Sequence, residues 1–140
     1  MYLEFPVAKQ DFTKAGEVSS KVKRILKQLN IPSLVIKHVV VALFEAEVNV
    51  IAHSYGGKII LNISPTLIKI VVTDTGPGIP DLKLAMEEGY STASPEIQEI
   101  GYGAGMGLPN IKKNADTLDI YTKANDHTEI RMEFRIKDGK

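Results

Sequence analysis

Residues 34–55, LVIKHVVVALFEAEVNVIAHSY, form a predominantly apolar stretch that ends just before Gly56-Gly57. Ser33 is a typical helix N-cap, and paired glycines are typical of a helix end. As a helix, this segment would carry apolar residues on nearly every face, which indicates that it is buried. We therefore predict a buried helix from about Leu34 to Tyr55.

The segments on either side of this helix predict a sheet and further helices. Strands are predicted at 2–7, 58–63, 67–72, 118–123 and 128–137, from runs of apolar and β-branched residues. Helices are predicted at 15–29, 34–55, 81–88 and 106–115, from apolar residues at helical spacing. Runs of adjacent strands and of adjacent helices favour an α+β two-layer sandwich, with a mixed, mainly antiparallel sheet and helices on one face.

The length and composition limit the possible classes of protein. A chain of 140 residues is one domain, 1–140, in which the loop-rich segment of about 81–106 is a candidate lid. Lys and Arg number 17, as do Asp and Glu, so no overall charge attracts nucleic acid or a membrane surface. The chain has no cysteine, no export signal at its start and no apolar run long enough to cross a bilayer. We expect a cytoplasmic protein.

Glu45, Asn49 and His53 lie four residues apart in turn, and therefore on one face of the predicted helix. The side-chain oxygens of Glu45 and Asn49 are hard ligands of the kind that Mg²⁺ prefers. The alternative is that these residues are the polar edge of an amphipathic helix. Because the surrounding residues are apolar, the pattern favours side chains that face a cavity.

A second motif, Asp74-Thr75-Gly76-Pro77-Gly78, follows the predicted strand that ends at Val72-Thr73. An acid at a strand end can lie at the floor of a pocket, and glycines after it let the backbone approach a flat ligand closely. The alternative is a simple turn in which the aspartate binds its own backbone.

A third motif, GYGAGMGL at 101–108, places four glycines at alternate positions before a predicted helix. Backbone N–H groups and the positive end of a helix form a site for a polyphosphate. The alternative is a flexible hinge. A dinucleotide-binding fingerprint is excluded because no strand precedes the glycines, and a P-loop is excluded because Ile59 follows Gly57-Lys58.

Taken together, the three motifs resemble those of the GHKL-type ATPases. Glu45-Ala46-Glu47-Val48-Asn49 resembles the N-box, Asp74–Gly78 the G1 box, and Gly103–Leu108 the G2 box. The short length and the form of the N-box look most similar to the anti-sigma-factor serine/threonine kinases and their switch-kinase relatives. The resemblance implies a Bergerat-type ATP-binding fold.

The resemblance also implies a role for each matching residue. Glu45 would be the general base, Asn49 would ligate Mg²⁺, and Asp74 would accept a hydrogen bond from the adenine amine, with Thr128 assisting through water. The other implied contacts to ATP are His53, Gly76, Gly78, Ile79, Gly103, Ala104, Gly105, Met106, Gly107 and Leu108. A carboxylate at position 74 disfavours guanine, whose carbonyl would face another acceptor.

Three functions stay open at this point. The first is an ATP-dependent serine/threonine kinase that phosphorylates an anti-sigma-antagonist type of regulator, with a sigma factor and a second copy of the chain as further candidate partners. The second is a non-catalytic, ATP-gated binding module. It is favoured by the lack of Lys or Arg between Lys83 and Lys112, which leaves the cationic contact to the terminal phosphate without an obvious source. The third is a detached histidine kinase catalytic domain.

One basic surface has no part in these motifs. Lys21, Lys23, Arg24 and Lys27 lie along the outer face of the first predicted helix. Two interpretations fit this pattern: a solvated helix face, or a surface that meets a protein partner.

Overall fold

The computed structural model of the chain describes residues 1–7, 14–53, 56–75, 107–123 and 127–136. Within these residues the strands are β1 (Tyr2–Val7), β2 (Gly57–Ile63), β3 (Leu67–Thr75), β4 (Thr117–Lys123) and β5 (His127–Arg135). The helices are α1 (Glu17–Gln28), α2 (Ser33–His53) and α3 (Gly107–Asn114). The helix predicted at 81–88 and the candidate lid at about 81–106 lie outside the described residues.

The five strands form one sheet in the order β1-β2-β3-β5-β4, and every described pairing is antiparallel. Burial alternates along β3 and β5, so that one face of the sheet is apolar and covered. The predicted α+β sandwich is confirmed.

Helix α2 lies between the other two helices, in contact with α1 on one side and with α3 on the other, and it also packs on the sheet. Its apolar residues join those of the covered sheet face in a single core, to which α3 contributes Leu108 and Ile111. No helix among the described residues has the length and apolar character needed to span a membrane.

The start of α1 depends on a side chain from α2. Gly16 precedes α1 with φ of 87°, and no side chain of α1 itself caps the helix. The Glu47 carboxylate supplies the cap: it accepts hydrogen bonds from Val18 N–H at 3.1 Å, Ser19 N–H at 3.2 Å and Ser19 Oγ at 2.8 Å. A negative charge at this position also stabilises the helix dipole. Glu47 therefore joins the two helices.

The end of β3 differs from the prediction. We expected a strand that stops near Val72-Thr73 with Asp74 in a loop, but β3 continues through Asp74 to Thr75. The reason is pairing on both sides, because Asp74 lies opposite Gly57 of β2 and Thr128 of β5. Pairing with the neighbouring strands satisfies the backbone groups near Asp74, although the local sequence alone predicts a turn there.

Candidate functional site

Asp74 is a buried acid on the covered face of the sheet. It follows Ile70 and Val72 at alternate positions, and its residue is 9% exposed. Burial raises the pKa of Asp74 from its ordinary value of 3.8 to about 6, although the charge of His127 and a hydrogen bond from the Thr128 backbone lower it. At neutral pH the carboxylate is ionised but poorly solvated, so it would gain from a further hydrogen-bond donor.

Thr128 lies directly opposite Asp74 and is also buried. Its hydroxyl is 2.9 Å from the hydroxyl of Thr122 on β4, so one of the two donates to the other. Asp74 and Thr128, which the sequence motifs associate with adenine, are therefore brought together by the structure. Thr122 extends this polar cluster across three strands.

Because Gly57 has no side chain, β2 can pack close to the backbone of Asp74. A Cβ atom at position 57 would overlap the carbonyl oxygen of Thr73 and lie 2.9 Å from the Cα of Asp74. We expected Gly56-Gly57 to end the helix, but Gly57 is also the first residue of β2 and permits this close approach.

Glu45 is half-buried on α2 and points toward α3. Its Oε1 accepts a long hydrogen bond of 3.4 Å from Nδ2 of Asn110. The backbone carbonyl of Asn110 in turn accepts a hydrogen bond of 2.8 Å from Asn114 Nδ2. Among the described residues Glu45 thus keeps most of its accepting capacity, because a carboxylate can accept about four hydrogen bonds.

Asn49 is half-buried one turn after Glu45. Within the described ranges its side chain forms no hydrogen bond, which leaves the amide oxygen available to a cation. No group of three or more His, Cys, Asp or Glu residues among the described ones could hold a metal. Among these residues, Asn49 offers an amide oxygen of the kind that Mg²⁺ accepts as a ligand, and its role as a ligand stays a prediction.

Several predicted site residues cannot be placed. Gly76, Gly78, Ile79, Gly103, Ala104, Gly105 and Met106 lie outside the described residues, and the side chain of His53 is not described. Gly107 begins α3, and Leu108 is buried in the core. Their nucleotide contacts stay predictions.

Sequence reasoning missed three residues of this region. Glu47 was part of the N-box resemblance but had no role of its own, although an acid among apolar residues signals a partner. A weaker indication was present for Asn110, which is an amide in the first turn of the helix that follows the glycines. Thr122 had none, since only the pairing of β4 with β5 places it beside Thr128.

The donors and acceptors present fit an adenine nucleotide. Helix α2, which carries Glu45 and Asn49, covers the same sheet face on which Asp74 is buried. Asp74 offers an acceptor for an exocyclic amine, and Asn49 offers an oxygen for a hard cation.

Comparison with known proteins agrees with this chemistry. Residues 8–134 match the family described as histidine kinase-like ATPase domain. The chain is 32% identical to the anti-sigma F factor of Clostridium perfringens over 142 aligned positions, which span 97% of this chain and 96% of that protein. It is 39% identical to the serine/threonine-protein kinase RsbT of Bacillus subtilis over 64 residues, which span 46% of this chain and 42% of RsbT.

Solved structures share the fold. The RsbU and RsbW domains of Rv1364c from Mycobacterium tuberculosis match 97% of this chain and 32% of that chain, with a TM-score of 0.66 and 15% identity. The SiaB-SiaC complex from Pseudomonas aeruginosa matches 94% of this chain and 88% of that chain, with a TM-score of 0.62 and 12% identity. The resemblance to the GHKL-type ATPases is confirmed, and the chain belongs to the family of histidine kinase-like ATPase domains.

Proposed function

We propose that this protein is an ATP-dependent serine/threonine kinase that phosphorylates a small protein regulator in a partner-switching pathway. The names of its relatives, an anti-sigma F factor and a serine/threonine-protein kinase, support this activity. The observation that carries the proposal is the half-buried Glu45, which within the described part of the chain has one long hydrogen bond, from Asn110, and adjoins Asn49, whose amide has no partner there.

Asp74 selects the base. Its buried carboxylate accepts a hydrogen bond from the exocyclic amine of adenine, and the Thr128–Thr122 hydroxyl pair holds a water beside it. Guanine would place a carbonyl oxygen against the carboxylate, which costs about 1–3 kcal/mol. ATP is therefore preferred over GTP.

Glu45 takes the proton of the attacking hydroxyl. When bound, Mg²⁺-ATP supplies the transferable phosphoryl group and neutralises part of its charge. The serine or threonine oxygen forms a bond to the terminal phosphorus, the bond from that phosphorus to the bridging oxygen breaks, and ADP leaves. Asn110 orients the Glu45 carboxylate, and Asn49 would hold Mg²⁺ through its amide oxygen. The remaining partners, a sigma factor and a second copy of this chain, belong to the same proposal, as does a cytoplasmic location.

A second candidate function is a non-catalytic, ATP-gated binding module. It is favoured by one observation, the absence of Lys and Arg between Lys83 and Lys112, where a kinase would place a cation near the terminal phosphate. Such a module binds ATP, changes its affinity for a partner and consumes no nucleotide.

The discriminating experiment is a phosphoryl-transfer assay with radiolabelled ATP, Mg²⁺ and the anti-sigma-antagonist type of regulator from the same genome. We expect an acid-stable label on a serine or threonine of the regulator, located by peptide mapping. An acid-labile label on histidine would instead support the detached histidine kinase domain. Formation of an ATP-dependent complex without any transfer would support the binding module.

A further inference from the structure

A groove at the corner between α1 and α2 lies apart from the predicted nucleotide contacts. It has a volume of about 600 Å³ and contains none of Glu45, Asn49 and Asp74. The segment that turns from α1 into α2 closes one end, and Val41 marks the other, one helical turn before Glu45.

The described lining of this groove is apolar and cationic. Ile31, Ile36, Val40 and Val41 provide the apolar part, in which Ile36 is buried and the others are half-buried. Lys23, Lys27 and Lys37 provide the charge, and all three are exposed. No described lining residue carries a carboxylate.

The groove lysines differ from three other lysines of the chain, which form salt bridges. Lys21 pairs with Glu17 at 3.3 Å, Lys58 with Glu4 at 3.2 Å and Lys69 with Glu133 at 3.6 Å. By contrast, Lys23, Lys27 and Lys37 form no salt bridge within the described residues. Lys23 and Lys27 are also four residues apart on α1, where like charges repel each other.

We propose that this groove binds an acidic, amphipathic helical segment of a partner protein. Its carboxylates would pair with the three lysines, and its apolar side chains would cover Ile36 and the half-buried valines. A nucleic acid would satisfy the charges but leave the apolar lining exposed, and a neutral apolar segment would leave the lysines unpaired. A concave site of this volume suits a few side chains rather than a flat bilayer.

The test uses the full chain labelled with ¹⁵N and two synthetic helical peptides, one with leucines at helical spacing between glutamates, the other with every glutamate replaced by lysine. We expect the acidic peptide to shift backbone amides around the groove in a saturable manner. Its affinity should exceed that of the basic peptide at least about tenfold and should weaken as salt is raised. Equal affinity for the two peptides, or shifts confined to other surfaces, would overturn the proposal.

Charge reversal supplies the matched control. Lys27→Glu with Lys37→Glu should lower the affinity for the acidic peptide at least about tenfold. Lys58→Glu with Lys69→Glu changes the net charge equally on strands of the sheet and should have little effect. If the groove pair fails to fold, Lys23→Gln with Lys37→Gln gives a smaller loss of the same sign. Equal affinity of the two reversed pairs would contradict the inference.

Two further measurements distinguish peptide binding in the groove from membrane binding and from phosphoryl transfer. Vesicles containing phosphatidylglycerol should not displace the acidic peptide, and lysine-dependent vesicle binding without peptide binding would identify a membrane surface instead. Glu45→Gln should bind the acidic peptide as the wild type does, so that the loss of phosphoryl transfer and the loss of groove binding can be told apart.

Discussion

Glu45 and Glu47 lie two residues apart on α2 and have different environments. Glu47 is 1% exposed and accepts three hydrogen bonds from the first turn of α1. Glu45 is half-buried and accepts one bond of 3.4 Å from Asn110. Two residues turn an α-helix by about 200°, so one side chain faces α1 and the other faces α3.

This difference distinguishes an acid that stabilises the fold from one that is available for chemistry. A buried carboxylate with several donors holds its surroundings in place, and its loss leaves those donors unpaired. A carboxylate with spare acceptor capacity can take a proton from a substrate. Asp74 resembles Glu45 in having spare acceptor capacity. Its pKa is raised because burial outweighs the hydrogen bond from the Thr128 backbone and the charge of His127.

The largest effect is expected from Glu45→Gln. Removing the proposed general base should lower the rate of phosphoryl transfer about 100-fold or more. The affinity for ATP, measured by calorimetry, and the melting temperature should stay close to those of the wild type. A variant with unimpaired transfer would remove Glu45 from the mechanism.

The same substitution at the other acid, Glu47→Gln, should act on stability. The amide keeps one acceptor but loses the charge that caps α1, and we expect the free energy of unfolding to fall by about 1–3 kcal/mol. Denaturant titration measures this change, and transfer at low temperature should be largely retained. If Glu47→Gln proves as stable as the wild type while losing its activity, the contrast between the two acids is wrong.

Asp74→Asn tests the third carboxylate through ligand binding. An amide accepts a hydrogen bond from the adenine amine less strongly than a carboxylate does, so affinity for ATP should fall about tenfold. Discrimination against GTP should also decrease, because the amide can donate to a guanine carbonyl. Calorimetry with both nucleotides checks the prediction, and Thr128→Ser is a milder control at the same site.

The smallest effect concerns stability as a function of pH. Asp74 binds its proton more tightly in the folded state, because its pKa is raised from 3.8 to about 6. Its contribution to stability is therefore present below about pH 4 and is lost as the pH rises toward 6. Without nucleotide, Asp74→Asn should be more stable than the wild type at pH 7 by roughly 1–2 kcal/mol and similar to it near pH 4. At pH 7, neutralising Asp74 should thus raise the free energy of unfolding, whereas neutralising Glu47 should lower it. A change of the same sign in both variants would contradict the contrast between the two acids.

The sequence predicted the fold class and most elements because their signals are local. The period of apolar residues located α1 and α2, and β-branched runs located β2 and the first part of β3. The extension of β3 to Thr75 was missed because it depends on pairing with residues far along the chain, Gly57 and Thr128. The prediction for Asp74 was wrong in backbone conformation, and its contact with adenine stays a prediction.

The sequence by itself determined the order of helices and strands, the family motifs and the identity of the acids and amides available for chemistry. The tertiary structure alone decided how each acid is hydrogen-bonded. Glu47 and Glu45 have the same side chain on the same helix, and only the packing of α1 against one side and α3 against the other separates them. Hydrogen-bond donors from distant parts of the chain determine how well a carboxylate is satisfied, and no local pattern records them.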